Sequence, residues 1–138
     1  MTRCCLVFSV VTMVCLGGCS SSRNDSGGAG PDGSDTLREV GGLVSALTGE
    51  QKRGPQKIAD LARYEAGYPL GFEAVKSGNV VVVWGAKMTI EEGGGTSGTT
   101  DVVAYEKKVP SEGGLVLLQN GTVKQMTADE FKSTPKAK

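Results

Sequence analysis

Histidine is absent from this chain, and its four cysteines, Cys4, Cys5, Cys15 and Cys19, all fall within the first nineteen positions. Beyond Cys19 there is no thiol for a disulfide, no Cys/His zinc cage, and neither Ser-His-Asp nor Cys-His catalysis. Aromatic residues make up only 5% of the chain, and Lys plus Arg equal Asp plus Glu at 15 each. That combination supplies neither the basic footprint nor the stacking platform of a nucleic-acid binder, so no nucleic-acid partner is expected. Long apolar runs are missing as well. The longest, residues 4–15 (CCLVFSVVTMVC), is about a dozen residues, against the ~20 of a membrane-spanning helix.

What is present begins at the N-terminus. Arg3 supplies a positive charge, the apolar run follows, and Leu16-Gly17-Gly18-Cys19 places small residues directly before a cysteine. This order reads as a cleaved signal peptide over residues 1–18. The quartet resembles the lipobox of bacterial lipoproteins. The resemblance implies diacylglycerol on the Cys19 thiol, cleavage between Gly18 and Cys19, and acylation of the new amino group. Cys19 is therefore the expected lipidation site and membrane lipid the expected partner. Acyl chains contribute about 0.8 kcal/mol per buried methylene, so two or three hold a soluble domain on a membrane. Ser20, rather than an aspartate, follows Cys19; the resemblance to lipoproteins implies that outer-membrane transport stays open, so the anchor is expected in the outer or the cytoplasmic membrane. Loss of Arg3 with the leader leaves fifteen acidic against fourteen basic side chains, a net charge of about −1.

Residues 20–35 (SSSRNDSGGAGPDGSD) hold almost nothing to bury. With Cys19 they read as a lipidated tether over 19–35, because such a segment cannot offset its own ordering entropy. One domain is expected over 36–133, with a frayed tail at 134–138. Residues 36–47 place Leu37, Val40, Leu43, Val44 and Leu47 on one helical face, with Asp35 as N-cap and Gly49 at the end. Gly41 and Gly42 each weaken that helix by up to ~1 kcal/mol. Pro55 is expected to open a second short helix, with Ile58, Leu61 and Ala62 inward, and residues 69–76 a third before Ser77-Gly78-Asn79.

The period then changes. Val80-Val81-Val82-Val83-Trp84 reads as a strand covered on both faces, and residues 87–91 extend it or pair with it. Residues 101–107, 115–118 and 122–126 supply further strands, the last two joined at Asn120-Gly121 as a two-residue hairpin. Thr127-Ala128-Asp129-Glu130 has the form of a capping box before Phe131. Helices first and a meander afterwards give an α+β domain, with N-terminal helices packed on one face of an antiparallel sheet of about four strands.

Several motifs have plain structural readings. Residues 93–98 (GGGTSG) satisfy G-x-G-x-x-G, but Thr99 and Thr100 lead into a strand rather than the helix a dinucleotide site needs. Asn120-Gly121-Thr122 and Asn24-Asp25-Ser26 match N-x-[ST], and read as turn and tether. Glu91-Glu92 and Asp129-Glu130 are paired acids without a pocket to separate their environments, and they lack EF-hand spacing. Trp84, Tyr64, Tyr68, Tyr105, Phe72 and Phe131 are assigned to the core, with a groove of Tyr64, Tyr68 and Trp84 as the alternative. No catalytic, metal or cofactor-binding residues are assigned.

Within residues 102–131, Gly113-Gly114, Leu115-Val116-Leu117-Leu118 and Asn120-Gly121-Thr122-Val123 resemble the C-terminal hairpin of planctomycete pilin-like proteins, which carry an H-x9-DG signature in a segment of the form GG-x-VLFADG-x-V. Pro110 stands where that family has histidine, and Asn120 where it has aspartate. Those proteins begin with a polymerising apolar helix, where this chain has a lipobox. The resemblance implies a fold like the globular head of a pseudopilin and carries no catalytic residue. Together the features describe a lipid-anchored, non-catalytic structural or binding domain facing the periplasm or the exterior, an accessory to a secretion or surface assembly with an envelope protein partner. Two other readings stay open. One is a small-ligand or peptide binder using residues 93–100 or a sheet edge; the other is an enzyme using a Ser/Lys pair or carboxylates such as Asp60, Glu65 and Glu73.

Overall fold

In the computed structural model, which describes residues 33–89 and 99–138, the first helix is longer than its sequence pattern predicts. Helix α1 spans Gly33–Gln51, and Leu37, Val40, Leu43, Val44 and Leu47 form its fully buried stripe. Its start lies inside the expected tether: Gly33 and Ser34 are helical, and Asp35 is a first-turn residue rather than the N-cap. There Asp35 pairs with Arg38 at 2.8 Å, and its charge faces the positive end of the helix dipole. The end is displaced too. Gly49 stays helical, while Lys52 takes φ 57° and donates its N–H to the Thr48 carbonyl at 2.9 Å, a closure usually made by glycine.

Pro55 does not open the second helix. It is fully buried in the preceding loop, and its carbonyl accepts the Gly85 N–H at 2.7 Å. Helix α2 (Ile58–Leu61) begins after it and runs into a 3₁₀ segment, Ala62–Gly67. Helix α3 (Pro69–Lys76) forms where expected, with Pro69 in its first turn. Tyr68 makes no side-chain cap there; instead the Gly71 N–H donates to Glu39 Oε2 of α1 at 2.9 Å. A carboxylate from one helix thus satisfies a free N-terminal donor of another.

Strands β1 (Val80–Val82), β2 (Val102–Glu106), β3 (Gly114–Leu118) and β4 (Val123–Met126) form an antiparallel meander in that order. The domain is therefore α+β with a four-stranded antiparallel sheet. β1 is a short edge strand, not the doubly covered one expected: Val81 is only half-buried, and Gly85 at φ 89° turns the chain so that Trp84 leaves the sheet. Residues 87–89 add no strand. The β3–β4 turn also departs from the two-residue form. Gly121 alone takes positive φ, 83°, its N–H reaching the Leu118 carbonyl at 2.9 Å while the Leu118 N–H reaches Thr122 O at 2.9 Å. This is a longer turn closed by a left-handed glycine.

The helices do not all lie on one face. Leu115 and Leu117 of β3 point to the α1 and α3 side, whereas Val116 and Leu118 point to a second cluster with Val109, Met126 and Phe131. That second face is covered by α4 (Val109–Glu112), absent from the sequence expectation, and by α5 (Ala128–Ser133). A bulge between Val102 and Ala104 lets Val102 join the second cluster while both Val103 and Ala104 join the first. α5 starts with the expected capping box: Glu130 N–H donates to Thr127 Oγ1 at 3.3 Å, and Thr127 N–H to Glu130 Oε2 at 2.8 Å. The Thr127 N–H, and after it the Thr127 hydroxyl donating to Oε2 at 3.0 Å, hold the Glu130 carboxyl below its ordinary range.

The C-terminal tail is docked rather than frayed. Val102 N–H donates to Pro135 O at 2.9 Å and Val102 O accepts from Ala137 N–H at 3.0 Å, with Ala137 3% exposed. Lys136 Nζ donates to the Phe131 and Thr134 carbonyls at 2.7 Å each and lies 3.9 Å from the Phe131 ring centroid. Burial lowers its ammonium below the usual lysine range. Removing residues 135–138 strips both polar groups of buried Val102 of partners, so urea denaturation of the shortened chain is expected to show a loss of about 2 kcal/mol. A frayed tail would give no change.

Candidate functional site

α1 has nineteen residues, so it separates two poles of the domain by about 27 Å. At its start, Gly33 lies beside the Glu106 end of β2 and Leu115 of β3: a Cβ on Gly33 would sit 2.7 Å from Glu106 Oε1 and 3.2 Å from a Leu115 methyl. At its end lie the loop 52–57 and the turn that carries Trp84. Gly54 is packed directly on the Gly85 and Ala86 backbone, which fastens that loop beneath Trp84.

The near pole holds a cleft of about 290 Å³ lined by Thr36 of α1, Leu70, Glu73 and Ala74 of α3, and Val80 and Glu106 of the sheet, together with Gly33, Ser77 and Asn79. Its walls are mainly apolar, and Leu70 remains 43% exposed on it. Glu106 carries the chief charge. Its Oε2 accepts the Leu115 N–H at 2.8 Å and faces Lys108 Nζ at 3.6 Å, with the side chain 22% exposed. Glu73 is a rim residue, 66% exposed and 3.8 Å from Lys76.

The far pole has a different character. Trp84 is 46% exposed there, and Lys52, Lys57 and Lys87 are exposed without an ion-pair partner among the described residues. Arg53 is held by Asp60 at 3.3 Å, and Asp60 is itself half-buried. The Gln56 N–H lowers Asp60 below the ordinary carboxylate range against partial desolvation, aided by Arg53 and by the Lys57 N–H. That carboxylate ties a loop together.

The structure redistributes the residues singled out in the sequence. Cys19, Asn24, Glu91, Glu92 and residues 93–98 lie outside the described residues. Glu130 belongs to the α5 cap, Asp129 lies in the first turn of α5 and faces Lys132 at 3.4 Å, and Asn120 belongs to the β3–β4 turn, where its Oδ1 accepts the Thr122 N–H at 3.0 Å. Of Asp60, Glu65 and Glu73 only Glu73 lines the cleft. Phe72 and Phe131 are buried as expected, but Tyr64, Tyr68 and Tyr105 are half-buried and Trp84 is exposed. Tyr68 covers Gly42, and the Tyr64 hydroxyl donates to Glu50, a bond that raises its pKa above the ordinary value. Neither tyrosine nor Trp84 lines the cleft. Sequence reading missed Leu70, Val80 and Glu106 as neighbours, because they come from α3, β1 and β2; an apolar Leu70 directly after a helix-opening proline was the available signal.

Among the described residues no helix is long and apolar enough to cross a membrane, and no three His, Cys, Asp or Glu side chains cluster as a metal site. No protein-family model, no curated protein and no solved structure matches the chain.

Proposed function

We propose that this chain is a bacterial lipoprotein, anchored at the cell envelope through Cys19, whose domain is a non-catalytic binding module. The observation that carries the reading is the course of α1. The segment from the lipobox enters the domain at Gly33, and the helix leads from there to the opposite pole, where Trp84 and three uncompensated lysines are exposed. An anchored domain of this layout presents that far pole away from the bilayer. A half-exposed Trp inside a basic fringe suits an envelope protein with an acidic surface, since Trp supplies contact area at low entropic cost and the lysines supply steering. The pilin-like hairpin supports a role as an accessory to a surface or secretion assembly.

The anchor has a direct test. Full-length chain expressed in a bacterium fed a clickable palmitate analogue is expected to carry the label and to lose the mass of residues 1–18. Cys19→Ala is expected to lose the label and retain that mass. An unlabelled wild-type chain, or equal labelling of the variant, sinks the reading.

A further inference from the structure

The near-pole cleft has a chemistry of its own, separate from the Trp84 surface and independent of the anchor. Leu70, Ala74 and Val80 supply its apolar lining, and Glu106 lines it with them. Glu106 is mostly withdrawn from water, 22% exposed, and its two oxygens are unequal. Oε2 is engaged by the Leu115 N–H and by Lys108. Oε1 points towards Gly33, where the missing side chain leaves it room, and accepts no hydrogen bond among the described residues. A partly desolvated carboxylate with one oxygen that accepts no hydrogen bond among the described residues, set against an apolar wall, favours a cation that brings its own N–H donors. Lys76 and Lys108 do not line the cleft.

We propose that this cleft binds a small organic cation: a primary ammonium on a short aliphatic stem. The ammonium sits against Glu106 Oε1, with the Thr36 hydroxyl and the Asn79 side-chain amide among the cleft-lining acceptors for its remaining protons. The stem lies along Leu70, Ala74 and Val80. A volume near 290 Å³ is at the small end of ligand pockets, which suits a stem of a few carbons and excludes large ligands. Glu73, 66% exposed at the rim, acts only through screened charge.

Titration of the ¹⁵N-labelled full chain in detergent with n-butylamine, 1-butanol and butyrate tests this, read from the backbone amide shifts of Ala74, Val80 and Leu115 with Gly121 as the distant control. Butylamine is expected to give saturable shifts at those three amides, with a Kd on the order of 1–10 mM. Butanol and butyrate are expected to bind at least 10-fold more weakly. Glu106→Gln keeps an acceptor for the Leu115 N–H and is expected to weaken butylamine at least 10-fold, while Glu65→Gln, exposed and outside the cleft, changes it by no more than about 2-fold. Equal binding of amine and alcohol, unchanged affinity in Glu106→Gln, or no saturable shift with butylamine overturns the proposal. Where Glu106→Gln does not fold, the amine-to-alcohol ratio in wild type and the loss expected for exposed Leu70→Ser decide it.

Discussion

Gly71→Ala is expected to destabilise the domain by about 3 kcal/mol, although alanine is intrinsically the better helix former by about 1 kcal/mol. A Cβ at position 71 would sit 2.7 Å from the Val40 nitrogen, 2.8 Å from the Glu39 carbonyl carbon and 2.9 Å from Glu39 Cβ. These are backbone and stem atoms, so no side-chain rotation relieves the overlap. α1 cannot yield, because Leu37, Val40 and Leu43 are fully buried. α3 must therefore retreat, and the Gly71 N–H then loses the Glu39 carboxylate that caps it at 2.9 Å. Gly49→Ala is the matched control: it lies in α1 with nothing within 4 Å of its Cβ position, and is expected to stabilise by up to about 1 kcal/mol. Urea denaturation of both variants checks the pair. A Gly71→Ala variant as stable as wild type contradicts the packing of α3 on α1.

Leu117→Ala is expected to cost about 3 kcal/mol, within the range for deleting a buried leucine side chain. Leu117 is 1% exposed on central strand β3, and its two methyls lie 3.3 and 3.5 Å from the position of a Cβ on Gly41. Gly41→Ala alone is therefore expected to be close to neutral, the helical gain of about 1 kcal/mol being offset by crowding of Leu117. In the Leu117→Ala background the same change enters a space already vacated and recovers about 1 kcal/mol or more. A double-mutant cycle is expected to give a coupling of roughly 1 kcal/mol between the two sites; strict additivity contradicts the contact.

These two glycines mark the limit of what the chain discloses before folding. Leu37, Val40, Leu43, Val44 and Leu47 declare a buried helical stripe through spacing alone, and Thr127 with Glu130 declares a cap, because both signals are local. The four strands are legible for the same reason, as short segments between turns, with the valine run of β1 and the apolar run of β3 as the clearest. Gly41, in contrast, reads as a simple helix weakener and Gly71 gives no signal, since their value depends on β3 and α1 respectively. The Val80–Trp84 run suggests an unbroken strand, yet the Gly85 turn, held by Pro55, ends it at Val82 and exposes Trp84. The tail reads as frayed, but Ala137 and the carbonyl partners of Lys136 give it a place beside Val102. The cleft was illegible because α1, α3 and the sheet each contribute part of it.

Trp84 is the chain's one tryptophan, so its fluorescence reports the orientation of the far pole without a label. The proposed anchoring is measured most directly with the protein expressed in a bacterium and placed in vesicles of ordinary lipid and in vesicles carrying brominated acyl chains. A domain tethered at Gly33 with Trp84 turned outwards gives the same emission intensity in both, with full quenching by aqueous iodide. Strong quenching by the brominated lipid, with protection from iodide, would place Trp84 in the bilayer interface and contradict its assignment to a partner-facing surface.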